Sequence, residues 1–504
     1  MHTFLDPVKR SLQIAPNKVG FIDQRRSFTF SEFHNRMCRL GGILRELGLK
    51  PGDRVAILAN NCLQYLETYV GVPAAGFVVV PLNTRHAIPE LTYALEDSGA
   101  RVLLVDRDPG ELAGVVEHVI NVPDVYEQRL DAAKPITLGE GVTEDSLAGL
   151  FYTGGTTGKS KGVMLTHRNL LANTFNWMLA IPHRPDDSFL LMAPLFHAAG
   201  SNGVLAAIWN CNLQVTLAAF EPGAALDLIQ EHKISVTLGV PTMLSAIAEE
   251  QRNNPRDTGT LRCIAHGSSP IATELIRRTM RAFPTTQLME VYGSTETSPL
   301  TTALPNENQW IDHERAKSCG QSLLGNELRI LDSNGDEVAT GEVGEVVVRG
   351  PNVMLGYWNK PEQTATVLKD GHYWTGDLGY MDDEGFVFLV DRSKDMIVSG
   401  GENVYCTEVE EVLFKHPAVL EAAAFGIPDE QWGEVVYAVV VPRPEYSDVD
   451  PEDIVAFCRE HIAGYKVPKG IAISHEPLPK SGPGKVLKRE LRAPFWVGKK
   501  RDVN

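Results

Sequence analysis

The chain has 504 residues, 43% hydrophobic and 22% charged, enough apolar material for two to four packed domains at a prior of about 150 residues each. Lys and Arg number 47 against 64 Asp and Glu, and the resulting net charge of −17 argues against sequence-independent nucleic-acid binding, which needs many cations against phosphate. Asp6, Lys9, Arg10 and Lys18 interrupt the N-terminal stretch, so no signal-peptide core is expected there. The most apolar run, Tyr69 to Leu82, is short and broken by Pro73 and Gly76, and so cannot cross a bilayer. Seven cysteines (Cys38, Cys62, Cys211, Cys263, Cys319, Cys406, Cys458) never form a C-x-x-C pair, a usage that fits a reducing cytoplasm and neither a disulfide framework nor a cysteine zinc site.

Strand-like and helix-like stretches alternate in the first half. Asp53 to Leu58, Ala100 to Val105, Phe189 to Met192 and Ile234 to Leu238 read as short buried strands, a pattern of βαβ units around parallel sheets. Beyond about Gly320 the texture changes: Glu327 to Asp332, Gly344 to Arg349 and Gly385 to Val390 read as strands, with turns at Asn334-Gly335 and Asp383-Glu384-Gly385. From Asp391 a smaller unit is expected, with helices at Glu408 to Phe414 and Pro451 to His461 and strands at Val419 to Phe425 and Val435 to Val441. The fold class is α/β, with a large domain over residues 1–391 that includes a β-rich subdomain, and a small α+β domain over residues 392–504. The last stretch, from Lys466 to Arg501, is rich in lysine and arginine and reads as a solvated tail or an anion-handling edge.

The strongest local signal runs from Tyr152 to Gly162. An apolar strand enters a loop of glycines and hydroxyls (Thr153, Gly154, Gly155, Thr156, Thr157, Gly158), followed by Lys159 and Lys161. Glycines let backbone N–H groups turn inward as an anion nest, and hydroxyls and ammonium groups add donors, so the loop is suited to phosphate. It departs from the Walker pattern, which needs glycine where Thr153 stands and opens a helix, whereas Lys161 to His167 reads as a strand.

Together with Pro194-Leu195-Phe196-His197, Gly267-Ser268-Ser269-Pro270, Tyr292-Gly293-Ser294-Thr295-Glu296, Tyr373-Trp374-Thr375-Gly376-Asp377, Asp391 to Ile397, Ser399 to Tyr405 and Ser481-Gly482-Pro483-Gly484-Lys485, this loop resembles the adenylate-forming superfamily of acyl- and aryl-CoA synthetases, adenylation domains and luciferases. The motifs occur in the family's order from about residue 150 to 490, and Leu82-Asn83-Thr84 fits further upstream.

The resemblance implies two half-reactions: a carboxylate attacks the α-phosphate of ATP, and the thiolate of coenzyme A then displaces AMP. It assigns Thr153 to Lys161 to the β- and γ-phosphates, Thr295 to the α-phosphate, and Glu296 with Thr156 to Mg²⁺, for which hard oxygen ligands suit. Asp377, assisted by Arg392, takes the ribose hydroxyls; Gly267, Ser268 and Ser269 on one side and Glu290, Val291, Tyr292 and Gly293 on the other flank the adenine. His197 walls the acyl pocket, and Lys485 bridges carboxylate and α-phosphate during adenylation. Lys394 is the hinge of a mobile C-terminal domain, and rotation there brings Ser399, Gly400 and Gly401 to the site for the pantetheine arm.

Gly154 stands where the family usually has Ser, removing a hydroxyl whose hydrogen bond is worth about 1 kcal/mol, and Ser160 and Cys406 stand where Pro is usual, for which local loosening is expected. The residues around the acid pocket (Ala198 to Gly203, Gly239 to Met243, Thr297 to Pro299) are small and uncharged, which disfavours a dicarboxylate. The texture is similar to bacterial fatty-acyl and feruloyl-CoA synthetases, so the implied partners are a fatty or hydroxycinnamate-type acid, ATP and coenzyme A, with a stand-alone loader of a separate carrier protein as the alternative.

Overall fold

Runs of Val, Ile and Leu bounded by turns set the sheets. Arg54–Leu58, Val78–Pro81 and Ala100–Val105 are buried almost throughout, as parallel strands covered on both faces must be. They lie in a seven-stranded sheet in the order Gly356–Tyr357, Lys161–Thr166, Leu147–Thr153, Val78–Pro81, Arg54–Leu58, Ala100–Val105, His118–Asn121. The coordinates are a computed structural model that describes residues 2–24, 26–153, 159–269, 271–392, 394–400, 402–480 and 486–497.

A second sheet of nine strands runs Gln321–Ser322, Thr302–Leu304, Gln287–Tyr292, Cys263–Gly267, Val236–Gly239, Ser188–Leu191, Leu213–Thr216, Val19–Asp23, Arg26–Thr29. The six strands from Gln287–Tyr292 to Val19–Asp23 pair in parallel, as the βαβ pattern predicts, and the pairings outside them are antiparallel. The chain's first strand, Val19–Asp23, was not anticipated from sequence; it joins by pairing with Leu213–Thr216 far downstream. The apolar run Tyr69 to Leu82 divides between the helix Leu63–Ala74, buried on every side, and the strand Val78–Pro81. Among the described residues no helix is long and apolar enough to cross a membrane.

The β-rich region forms a third, antiparallel sheet of Glu327–Leu331, Gly344–Arg349, Leu368–Lys369, His372–Met381 and Val387–Arg392. The C-terminal unit has its own sheet (Ile397–Ser399, Glu402–Val404, Val419–Asp429, Gly433–Pro442, Gly470–Ile473) and its own apolar core, which takes in the helices Cys406–Lys415 and Pro451–His461. The loosening expected at Cys406 is not what the structure shows. Its backbone N–H, which proline would lack, donates to Asp391 Oδ2 at 2.7 Å, and its thiol lies 3.2 Å from the Asp395 carbonyl.

Candidate active site

The phosphate-loop segment is a hairpin, not a strand-to-helix turn. Leu147–Thr153 and Lys161–Thr166 pair antiparallel, with Thr153 directly opposite Lys161 at the open end. Gly154, Gly155, Thr156, Thr157 and Gly158 lie outside the described residues. Lys161–Thr166 is itself paired with Gly356–Tyr357, reinforced by Leu355 N–H to Met164 O at 3.0 Å and Trp358 N–H to Gly162 O at 2.8 Å. This pairing sets Tyr357 beneath the hairpin lysine: Lys161 Nζ stands 4.5 Å from the centre of its ring.

The same tyrosine reaches the acidic residue of the second motif. Tyr357 Oη donates to Glu296 Oε1 at 2.8 Å, and the Glu296 carbonyl accepts from Met354 N–H at 2.9 Å. Burial, and then the Glu296 charge, raises the Tyr357 phenol far above its ordinary range, so it remains a donor. Thr295 is buried in the short turn Thr295–Thr297. Gly293 precedes it at φ +157, where an added Cβ would lie 1.8 Å from the Pro299 carbonyl oxygen. Only glycine lets the chain double back here.

The nucleoside end is built on two sheets. Gly267 and Val291 are paired at the ends of neighbouring parallel strands, so close that a Cβ on Gly267 would sit 2.1 Å from the Val291 carbonyl oxygen. The two segments expected to flank adenine are therefore adjoining. Tyr292 Oη donates to Asp377 Oδ2 at 2.8 Å, and Asp377 Oδ1 pairs with Arg392 Nε at 3.1 Å. Asp377 and Arg392 face each other across the hairpin of His372–Met381 and Val387–Arg392. Each carboxylate oxygen of Asp377 already has one protein donor and retains lone pairs for hydroxyl groups.

The other expected residues fall as follows. His197 caps the short helix Ala198–Ser201, its Nδ1 accepting from Ala199 N–H at 3.3 Å. Ser268, at φ 72, and Ser269 follow Gly267 and are half-buried. Glu290 lies on Gln287–Tyr292 beside His266, and burial, with Glu307 next, pushes its carboxyl up to about 8. Burial and then the Arg392 charge hold the Lys394 amine down at about 8. Ser399 ends the strand Ile397–Ser399 of the small sheet, and Gly400, in the turn after it, donates its N–H to the Trp432 carbonyl at 2.8 Å. Gly401 and Lys485 lie outside the described residues.

Tyr357 was missed from sequence, because Gly356–Tyr357 is a strand of two residues whose partner lies far upstream. The structure contains no metal or nucleotide, but the donor set fits Mg²⁺: Glu296 is a hard carboxylate held at one oxygen by Tyr357, and Mg²⁺ is commonly bound through one or two carboxylates with the rest from phosphate and water.

These features define a nucleotide-binding enzyme of adenylate-forming architecture. The model of the AMP-binding enzyme family matches residues 8–358, and that of the AMP-binding enzyme C-terminal domain matches residues 408–485. The chain belongs to the AMP-binding enzyme family. It is 39% identical to a feruloyl-CoA synthase of Amycolatopsis sp. over 497 residues, covering 97% of this chain and 98% of that one. It is 34% identical to the fatty acid–[acyl-carrier-protein] ligase ScoC of Streptomyces coeruleorubidus (100% and 98% covered) and 35% identical to a long-chain-fatty-acid–CoA ligase of Salmonella typhimurium (94% and 91% covered). Among solved structures it resembles ATP-bound MatB from Rhodopseudomonas palustris (TM-score 0.90, 30% identity, 98% and 99% covered) and MenE from Bacillus subtilis in complex with ATP and magnesium ion (TM-score 0.86, 30% identity, 97% and 99% covered).

Proposed function

We propose that the chain is an ATP-dependent carboxylate–CoA ligase that forms an acyl-adenylate with release of pyrophosphate, then an acyl-CoA thioester with release of AMP. Its acid is fatty, of medium or long chain, or of the hydroxycinnamate type. The observation that carries this is the continuity of the strand Gln287–Tyr292 with the turn after it. Tyr292 holds Asp377 at the nucleoside end, and four residues on Glu296 is held by Tyr357, beside Lys161, at the phosphate end.

In this reading Asp377 and Arg392 receive the ribose, Gly267 to Ser269 and Glu290 to Gly293 enclose the base, and Thr295 donates to the α-phosphate. Thr153 and Lys161 hold the outer phosphates, with Lys161 offsetting charge as pyrophosphate leaves. Magnesium held by Glu296, with Thr156, supplies charge neutralisation on the phosphates. A carboxylate oxygen attacks the α-phosphorus and the bond to pyrophosphate breaks; Lys485 sits between the two anions. The thiolate sulfur of coenzyme A then attacks the acyl carbon, and AMP leaves with the bridging oxygen. Lys394 is the hinge, the small domain begins at residue 392, and Ser399, Gly400 and Gly401 line the thiol's approach.

The segments Ala198 to Gly203, Gly239 to Met243 and Thr297 to Pro299 carry no Arg or Lys, which supports a monocarboxylic acid. The cysteine usage supports a cytoplasmic setting. The likeness to the carrier-protein ligase keeps a second reading in view, in which the acceptor thiol is that of a carrier protein. The deciding experiment measures pyrophosphate release with Mg·ATP over acetate, octanoate, palmitate, benzoate, cinnamate, ferulate and malonate, with and without CoA. Thioester formed only with CoA supports the ligase; pyrophosphate without thioester supports the carrier-protein loader; no pyrophosphate from any acid overturns both.

A further inference from the structure

Two ionisable groups that the proposed mechanism does not use, His266 and Glu307, meet beside a third, Glu290, which it places at the base. His266 and Glu307 are fully buried, and His266 Nε2 lies 2.6 Å from Glu307 Oε2. His266 is on Cys263–Gly267, directly opposite Glu290 on Gln287–Tyr292, and paired residues of neighbouring strands share a face. Tyr292, two residues beyond Glu290, projects to that face as well and bonds Asp377. Glu307 arrives from the other side, on the turn Glu307–Trp310 after the strand Thr302–Leu304. Asn308 stitches that turn to the edge of Gln287–Tyr292: its Oδ1 accepts from Leu288 N–H at 2.6 Å and its Nδ2 donates to Thr286 O at 3.0 Å.

We propose that His266 and Glu307 are positioning residues for the nucleotide base: the buried imidazole–carboxylate pair sets the charge and orientation of Glu290 on the strand that flanks it. This rests on the ATP-binding reading of the site. A buried ion pair with no role beyond packing is replaceable by apolar side chains at little net cost. Here a third ionisable group, Glu290, stands opposite His266 in the strand register, so its charge is felt by both members of the pair. The groups that bear on Glu290 are Glu307, which disfavours its charge, and His266, which favours it; the buried thiol of Cys319 is the other titratable group that feels it. Burial favours the neutral His266 imidazole, but the charge and hydrogen bond of Glu307 outweigh it and raise the group above its ordinary value, with Glu290 adding a smaller push. In this proposal an ionised Glu290 would accept from the exocyclic amine of adenine, so ATP affinity should rise as pH passes upward through about 8.

The test follows the KM for ATP in pyrophosphate release from pH 6.5 to 9.5, together with calorimetric ATP binding in two buffers of different ionisation enthalpy, which counts protons without turnover. In the wild type KM falls about tenfold across the range, with proton release on binding near pH 8. Glu307→Gln removes the opposing charge and moves the midpoint down; His266→Leu removes the cation and moves it up. His266→Gln keeps a donor for Glu307 but cannot ionise, so it restores stability and not the midpoint. Coincident midpoints in all four proteins, or both single changes acting in one direction, would overturn the proposal. Wild type that releases no pyrophosphate would instead sink the ligase reading, and the calorimetric arm would still judge this one.

Discussion

Tyr357 and Glu296 are joined by a hydrogen bond of 2.8 Å, and the same phenol ring carries the Lys161 ammonium on its face. One side chain thus ties the phosphate-loop hairpin to the carboxylate proposed for magnesium. Tyr357→Phe keeps the ring under Lys161 and removes only the donor. A hydrogen bond to a charged group is worth about 1.5–3 kcal/mol, so adenylation should slow about tenfold to a hundredfold, with weaker Mg²⁺ dependence and little change in melting temperature. Unchanged pyrophosphate release and unchanged Mg²⁺ titration would remove Tyr357 from the site.

Asp377 is bracketed by Tyr292 and Arg392, so its substitution acts through ATP. Asp377→Ala should raise the KM for ATP at least tenfold, while transfer to CoA from supplied acyl-AMP is lowered through the same ribose contact. Steady-state kinetics in ATP and in acyl-AMP make the comparison. A defect confined to the acid's KM would contradict the assignment.

Gly293 and Gly335 both have positive φ and differ in surroundings. A Cβ at Gly293 meets the Pro299 carbonyl at 1.8 Å, whereas at Gly335 it meets nothing within 4 Å. Gly335→Ala should therefore cost only the left-handed strain, about 1–2 kcal/mol, and leave activity alone. Gly293→Ala must displace the Thr295–Glu296 turn and should abolish adenylation. Chemical denaturation and pyrophosphate assays on both variants decide it.

His167 links the N-terminal segment to the core, its Nδ1 accepting from Phe4 N–H at 3.1 Å. Burial holds the imidazole down at about 4. The unfolded chain, with an ordinary value near 6.5, binds the proton first, so stability is intact above about pH 6.5 and falls as pH drops toward 4. The full loss is about 3 kcal/mol. Urea midpoints at pH 7.5 and 5 should differ by more in the wild type than in His167→Gln; equal differences would place the acid sensitivity elsewhere.

The sequence was most informative where chemistry is local. The glycine and hydroxyl loop running into a strand instead of a helix was legible from Lys161 to Thr166, because Val163, Met164 and Leu165 form a short contiguous apolar run after the loop, too short for a helix. The strands Ala100–Val105 and Gly344–Arg349 and the helix Pro451–His461 fall at the bounds their composition suggests. Tyr357 and the His266–Glu307 pair were not legible. Each depends on elements brought together from distant stretches, Tyr357 with Val163 on paired strands and His266 with Glu307 of a turn 41 residues on, and neither leaves a spacing in the chain to read. Asp377 and Arg392 were assigned together to the ribose through the family's motifs, but the ion pair between them is a product of the hairpin that sets them opposite each other.

The central claim is that an acid is activated as its adenylate before a thiol takes it. A single-turnover experiment with Mg·ATP and the best acid of the panel, quenched before and after adding CoA, tests it directly. Acyl-AMP and pyrophosphate should form in equal amounts before CoA, and that acyl-AMP should convert to thioester and free AMP afterwards. Formation of ADP and phosphate, or of thioester with no acyl-AMP preceding it, would contradict it.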